Sequence, residues 1–187
     1  MFWAAYTSEM KGPSYMFGKE TAAKKEAAKE DLAQRNADID AQQQLVREQF
    51  IAEQQKMPKS RRLKRIRKVQ GIRFDRNKNA RGGINWYHYQ TYVLLPRLIP
   101  FIKEVIERYG EYYLVQDRAP AHNAWQQNEL LEIQGLTILL WPGNSQDLNQ
   151  IKPCWYHLKQ HISKQPYPST TKHSASKAWD VAWRDLE

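Results

Sequence analysis

The chain has 187 residues, 41% of them hydrophobic and 26% charged, with a net charge of +9 and a mean hydropathy of −0.81. That length and apolar content suit one domain with a buried core and argue against global disorder. The single cysteine, Cys154, excludes an internal disulfide framework and fits a reducing compartment. No apolar run nears the ~20 residues of a membrane span, and the N-terminus lacks the charged-then-apolar order of a secretory leader, so no membrane partner is expected.

MFWAAYT (1–7) and PSYMF (13–17) are short, aromatic and apolar, with Gly12-Pro13 between them and Gly18 after them. They predict two strands of a hairpin or meander. From 19 to 57 the chain is rich in Ala, Lys, Glu and Gln with no Gly or Pro, which predicts one long helix. Leu32, Ile39, Val46, Phe50 and Met57 form a roughly heptad stripe that Asn36, Gln43 and Glu53 interrupt. That stripe suits either an arm resting one edge on the body or a weak coiled coil, through which a homo-oligomer can form.

The positive charge is local. Between Lys56 and Arg81, twelve Lys or Arg residues accompany one acid, Asp75, so this segment carries +11 and the remainder about −2. Its densest part holds Lys59, Arg61, Arg62, Lys64, Arg65, Arg67 and Lys68. Cations this crowded repel one another unless an anion is near, so a nucleic-acid contact or a nuclear-import signal is expected, against a plain solvated linker. The location follows: nucleus, or cytoplasm if the run is not an import signal.

Residues 82–110 show helical spacing at Val93, Leu94, Leu98, Ile102, Val105, Ile106 and Tyr109, with Asn85 placed to start the helix and Gly110 to end it. Pro96 and Pro100 should kink or divide it. His88 reads as a satisfied core or surface histidine. EYYLVQD (111–117) predicts a strand, APAHNAWQQNELLEIQG (119–135) a helix and LTILLW (136–141) a strand, the pattern of a parallel crossover. Helices over 147–164 and 174–186 complete the chain, the last with Trp179 and Trp183 on one face.

Asp117 closes an apolar strand, where ligands of α/β sheets gather, and His122 follows in the next loop. Asp117 is thus a candidate ligand of a hard metal, or the cap of the next helix. His157 and His161 stand one helical turn apart, but no cysteine or carboxylate completes a zinc site. Cys154 lacks a catalytic partner, and no Gly-rich phosphate loop is present. Lys152 sits in the first turn of a helix, where the macrodipole favours an acid.

VQDRAPAH (115–122) followed by LLWPGNSQDLNQIKPCWYHLK (139–159) resembles the catalytic core of mariner-type DDE transposases, the fungal members above all, whose pattern runs QDNAPAH and then WPGNSPDLNPIEPCW. MFWAAYTSEMKGPSYMF and GGINWYHYQTYVLLPRLIPF resemble the family's strand pair and the helix before its second acid. The resemblance implies an α/β, RNase H-like mixed sheet with flanking helices, here a partial domain over 1–187. The first strand would be missing, 19–57 a long helical insertion and 56–81 a basic segment.

The resemblance also implies two Mg2+ or Mn2+ ions held by three carboxylates, which cleave and transfer DNA strands. The second acid falls on Asp117. After the 34 residues 118–151, the third falls on Lys152. His122, Asp147, Asn149 and Trp155 support the motif. The first acid would precede MFWAAYT. Arg118 and Gln146 depart from the family's Asn and Pro. An ammonium repels a metal: at 4 Å, two unit charges interact by about 4 kcal/mol at an effective dielectric of 20, and a divalent ion doubles that.

Three readings follow. The first is a catalytically inactive transposase remnant that binds DNA non-specifically through its basic segment. The second is a fragment of an active metal-dependent enzyme whose complete product supplies the acid. The third is a transposon-derived interaction protein that uses the long helix.

Overall fold

The computed structural model describes residues 1–62, 73–76, 83–117, 119–139, 149–165, 169 and 171–186. They fall into two compact units, Met1–Gly18 with Asn79–Glu187 and Lys19–Lys78. The chain is mixed α/β and mostly helical, with a small two-stranded sheet.

In the first unit, β1 (Phe2–Tyr6) and β2 (Lys11–Met16) pair antiparallel, from Phe2 opposite Met16 to Tyr6 opposite Lys11. The hairpin turns at Thr7–Met10, where the Thr7 hydroxyl oxygen accepts from the amides of Glu9 (3.1 Å) and Met10 (3.0 Å). Gly12 and Pro13, expected between the strands, therefore lie inside β2. A strand with one open edge tolerates the proline. Gly12 answers a close approach instead of a turn: a Cβ there would stand 2.7 Å from the Phe101 ring and 2.8 Å from the Ala5 carbonyl oxygen.

Side chains alternate across a strand, and the hairpin buries both faces. Trp3, Ala5, Tyr15 and Phe17 join one core with Tyr89, Val93, Leu94, Leu98 and Leu131. Phe2, Ala4 and Tyr6 join another with Trp155, Leu158, Trp179, Ala182 and Trp183. The sheet is thus the middle of three layers, which explains why a strand as short as β1 is apolar throughout.

The first helical layer begins at Asn85, whose side chain accepts from the His88 amide at 2.9 Å. α2 (Trp86–Tyr89) widens into a π-helical stretch, Gln90–Leu98, and continues as α3 (Ile99–Tyr109), which ends at Gly110 with φ of 92°. The prolines do not divide this run. Pro96 brings no amide hydrogen, and its ring crowds the carbonyl four residues back. The wider turn makes room, and the Arg97 guanidinium donates to that Tyr92 carbonyl.

Leu114 and Ile138 form a parallel bridge: the Leu114 amide donates to Thr137 at 3.0 Å, and the Leu139 amide to Leu114 at 2.9 Å. Between them run a turn and α4 (Trp125–Ile133), closed by Gly135 at φ of 69°. The crossover is parallel, as its pattern predicts. The strands expected over 111–117 and 136–141 amount to this one bridge among the described residues, and 140–141 lie outside them. The helix expected from 119 begins only at Trp125. α5 (Ile151–Ser163) and α6 (Lys172–Asp185) form the opposite layer. The Trp155 ring meets those of Phe2, Trp179 and Trp183 at 5.6, 6.4 and 6.0 Å.

In the second unit, the long helix α1 (Ala22–Lys56) starts at Thr21, whose side chain accepts from the Lys24 amide. Residues 73–76 lie along it. Asn36, which interrupts the apolar stripe, exchanges two hydrogen bonds with the Phe74 backbone at 2.8 and 3.0 Å. Arg73 bonds Asp40 at 2.9 Å and Arg76 pairs with Glu20. Leu32 is buried and Ile39 half-buried, whereas Val46 and Met57 are exposed.

Candidate functional site

The loop after the parallel bridge is built around one carboxylate. Asp117 Oδ1 accepts from the Ala119 amide at 3.2 Å and lies 2.7 Å from His122 Nδ1. Asp117 therefore closes the turn 117–122. It does not cap α4, whose N-cap residue is Ala124 with no side-chain bond. The carboxylate is 48% exposed and the imidazole 17%. The His122 hydrogen bond, with lesser help from its charge, the Ala119 amide and the Lys152 ammonium, holds the Asp117 carboxyl below its usual pKa, against the opposing effect of burial.

That electrostatic reach joins the two ends of the sequence motif. Lys152 is exposed in the first turn of α5, and its positive charge acts on the Asp117 carboxylate. Asn149 starts this helix: its side chain accepts from the Ile151 amide at 3.3 Å and its carbonyl from the Lys152 amide at 3.0 Å. Trp155, one turn on, points into the aromatic core. Asn149 and Trp155 thus hold α5 in place while Lys152 faces outward.

Several residues that sequence reasoning missed support the loop from below. The Tyr89 hydroxyl donates to Gln116 Oε1 at 2.6 Å, and its ring lies 4.3 Å from that of His122. Burial, then the nearby Asp117 charge, push the Tyr89 pKa far upward, so it stays a neutral donor. Gln127, with no exposed surface, donates to the carbonyls of Trp86 (2.7 Å) and Ala121 (3.3 Å). It ties α2 and α4 to the loop. The available signal was two glutamines in succession within α4, both of which the structure buries.

The sites expected elsewhere are not assembled. His157 and His161 are exposed on α5, and among the described residues no three His, Cys, Asp or Glu side chains could hold a metal ion. His88 is half-buried beside Tyr92. Burial raises the Cys154 thiol above its usual pKa, which disfavours the reactive thiolate. In the basic segment, Lys59 and Arg61 are exposed, but Arg62 donates to the carbonyls of Met57 (2.9 Å) and Gln55 (2.8 Å) at the end of α1. Cations are favoured at that helix end. With Arg73 and Arg76 ion-paired, part of the +11 is spent within the unit. Lys64, Arg65, Arg67, Lys68, Arg118 and Asp147 lie outside the described residues.

Hard divalent ions need several oxygen ligands and a net negative site. The described residues bring one carboxylate here, engaged by His122 and Ala119, with an ammonium nearby. This donor set does not fit a pair of divalent ions. Its remaining capacity is electrostatic: Lys152 presents a positive charge to solvent.

The family model for the DDE superfamily endonuclease matches residues 78–173, just over half of the chain. No curated protein and no solved structure matches it.

Proposed function

The chain belongs to the DDE superfamily endonuclease family, whose members use divalent metal ions, and we propose that it is a degenerate, mariner-type member that holds DNA by charge without cutting it. The observation that carries this reading is the site's one carboxylate among the described residues, Asp117, already engaged by the Ala119 amide at 3.2 Å and by His122 at 2.7 Å, with a lysine and not an acid at position 152. The residue at the third-acid position raises the positive charge of the site it would have to neutralise. Asp117 is left organising its own loop through Ala119 and His122. The RNase H-like arrangement of the family is the scaffold in this reading, which the helical layers on both faces of the hairpin support. Binding rests on the cations from Lys59 to Lys68, with the nucleus as the compartment and DNA phosphates as the partner.

The test is DNA affinity against salt, run beside a nicking assay with Mg2+ or Mn2+. If all seven cations from 59 to 68 reach duplex phosphates, log K falls against log salt with a slope of about −6, less if Arg62 stays on its helix end. Supercoiled DNA should stay intact. Metal-dependent nicking that Asp117→Ala abolishes would favour instead a piece of an active enzyme.

A second reading has its own observation. Leu45 and Val46, 58% and 63% exposed, lie on the half of α1 beyond the contacts of residues 73–76. A second copy of this helix is the occupant proposed for them, and concentration-dependent sedimentation of the intact chain tests it.

A further inference from the structure

The outer face of α5 is unlike that of the other helices of its unit. From Gln150 to Trp179 the sequence has five lysines and no Asp or Glu. The larger basic run hides this second one in any overall charge count. α3 pairs Arg108 with Glu104 at 2.7 Å, and α4 exposes Glu129 and Glu132. Lys159 on α5 and Lys164 just after it are exposed and have no ion pair among the described residues.

Lys152, Tyr156, Lys159 and Ser163 follow one another at i, i+4, i+7 and i+11, so they share one stripe. All four are exposed. Lys152 to Lys159 spans about 10 Å along the axis. Between the two lysines stands the Tyr156 ring, 62% exposed. It is edge-on to His157 at 5.8 Å, and its hydroxyl accepts from Gln160 at 3.3 Å. A ring so held loses little freedom when a flat partner stacks on it.

We propose that this stripe of α5 binds single-stranded nucleic acid, Lys152 and Lys159 taking phosphates of one strand and Tyr156 stacking on an unpaired base between them. Aromatic rings interleaved with cations are how strands are held without reading sequence. A duplex offers the phosphates but no free base face. An anionic membrane is the poorer fit, because surface helices insert an apolar face, and that of α5, with Leu158, Trp155 and Ile162, is occupied by the core. The proposal rests on the nucleic-acid reading above but not on its basic segment, and the stripe continues outward from the Asp117 loop.

The test measures anisotropy of a labelled oligothymidylate and of a labelled duplex with the intact chain and three variants. Tyr156→Ala should weaken oligothymidylate binding about tenfold and leave the duplex nearly unchanged. K159Q should reduce the single-strand salt slope by about 0.7. The third variant replaces Lys59, Arg61, Arg62, Lys64, Arg65, Arg67 and Lys68 with Ser, and should keep a Tyr156-dependent single-strand affinity. If that variant loses all binding of both probes, the stripe is overturned and the basic segment stands. If only the α5 variants lose affinity, the reverse holds. Equal loss on both probes with Tyr156→Ala, or no loss, also overturns the stacking role, as does binding to phosphatidylserine vesicles that Tyr156→Ala abolishes while oligothymidylate binding persists. All the substituted α5 positions are exposed, so unchanged thermal melting controls for folding.

Discussion

Lys152 and Trp155 stand three residues apart on one helix and obey different constraints. Trp155 faces inward, against Phe2, Trp179 and Trp183, where its neighbours dictate shape. Lys152 faces outward, where only the chemistry of a site could demand an acid. A chain can therefore keep the packing of an endonuclease while its carboxylate set lapses, because the fold registers the first kind of loss and not the second.

The comparison breaks if inward residues prove dispensable. Trp183 is nearly fully buried, and its indole donates to the Gly12 carbonyl at 3.1 Å. Trp183→Ala should cost about 3–5 kcal/mol, read as a lower midpoint in urea unfolding. Gln127→Ala comes next, at about 1–3 kcal/mol, because it removes a fully buried side chain and its donated bonds to the Trp86 and Ala121 carbonyls.

The Asp117 loop sharpens the contrast. A carboxylate kept for absent ions would leave the fold more stable when removed. One that closes its own turn should do the opposite. Asp117→Ala is expected to destabilise by about 1–2 kcal/mol, and Asp117→Asn, which keeps the acceptor for Ala119, by less. Thermal melting in chelator distinguishes the two cases. At the bottom of the scale, Lys152→Glu should shift stability by no more than about 0.5 kcal/mol. A larger change in the same melts would show that the lysine has a structural duty.

Much of the scaffold was legible. The hairpin, α1, the Asn85 and Gly110 boundaries and the parallel crossover follow from period, propensity and turn chemistry, which are local. What was not legible depends on neighbours far along the chain. Gly12-Pro13 reads as a turn until Phe101 is seen pressing on the strand. EYYLVQD reads as a strand because of its aromatic and branched residues, but a ladder needs a partner in register, and Tyr113 and Val115 stand exposed. The spacing from Asp117 to Lys152 was read from the motif alone. Tyr89, Gln116 and Gln127 could not be placed under the loop, since nothing in a sequence says which buried polar groups meet.

The central claim is that Lys152 and the engaged Asp117 leave no place for divalent ions. Calorimetric titration of the intact chain with Mn2+ addresses it directly. The account predicts no saturable heat that depends on Asp117. A saturable Mn2+ site present in the unaltered chain and abolished by Asp117→Ala would contradict it.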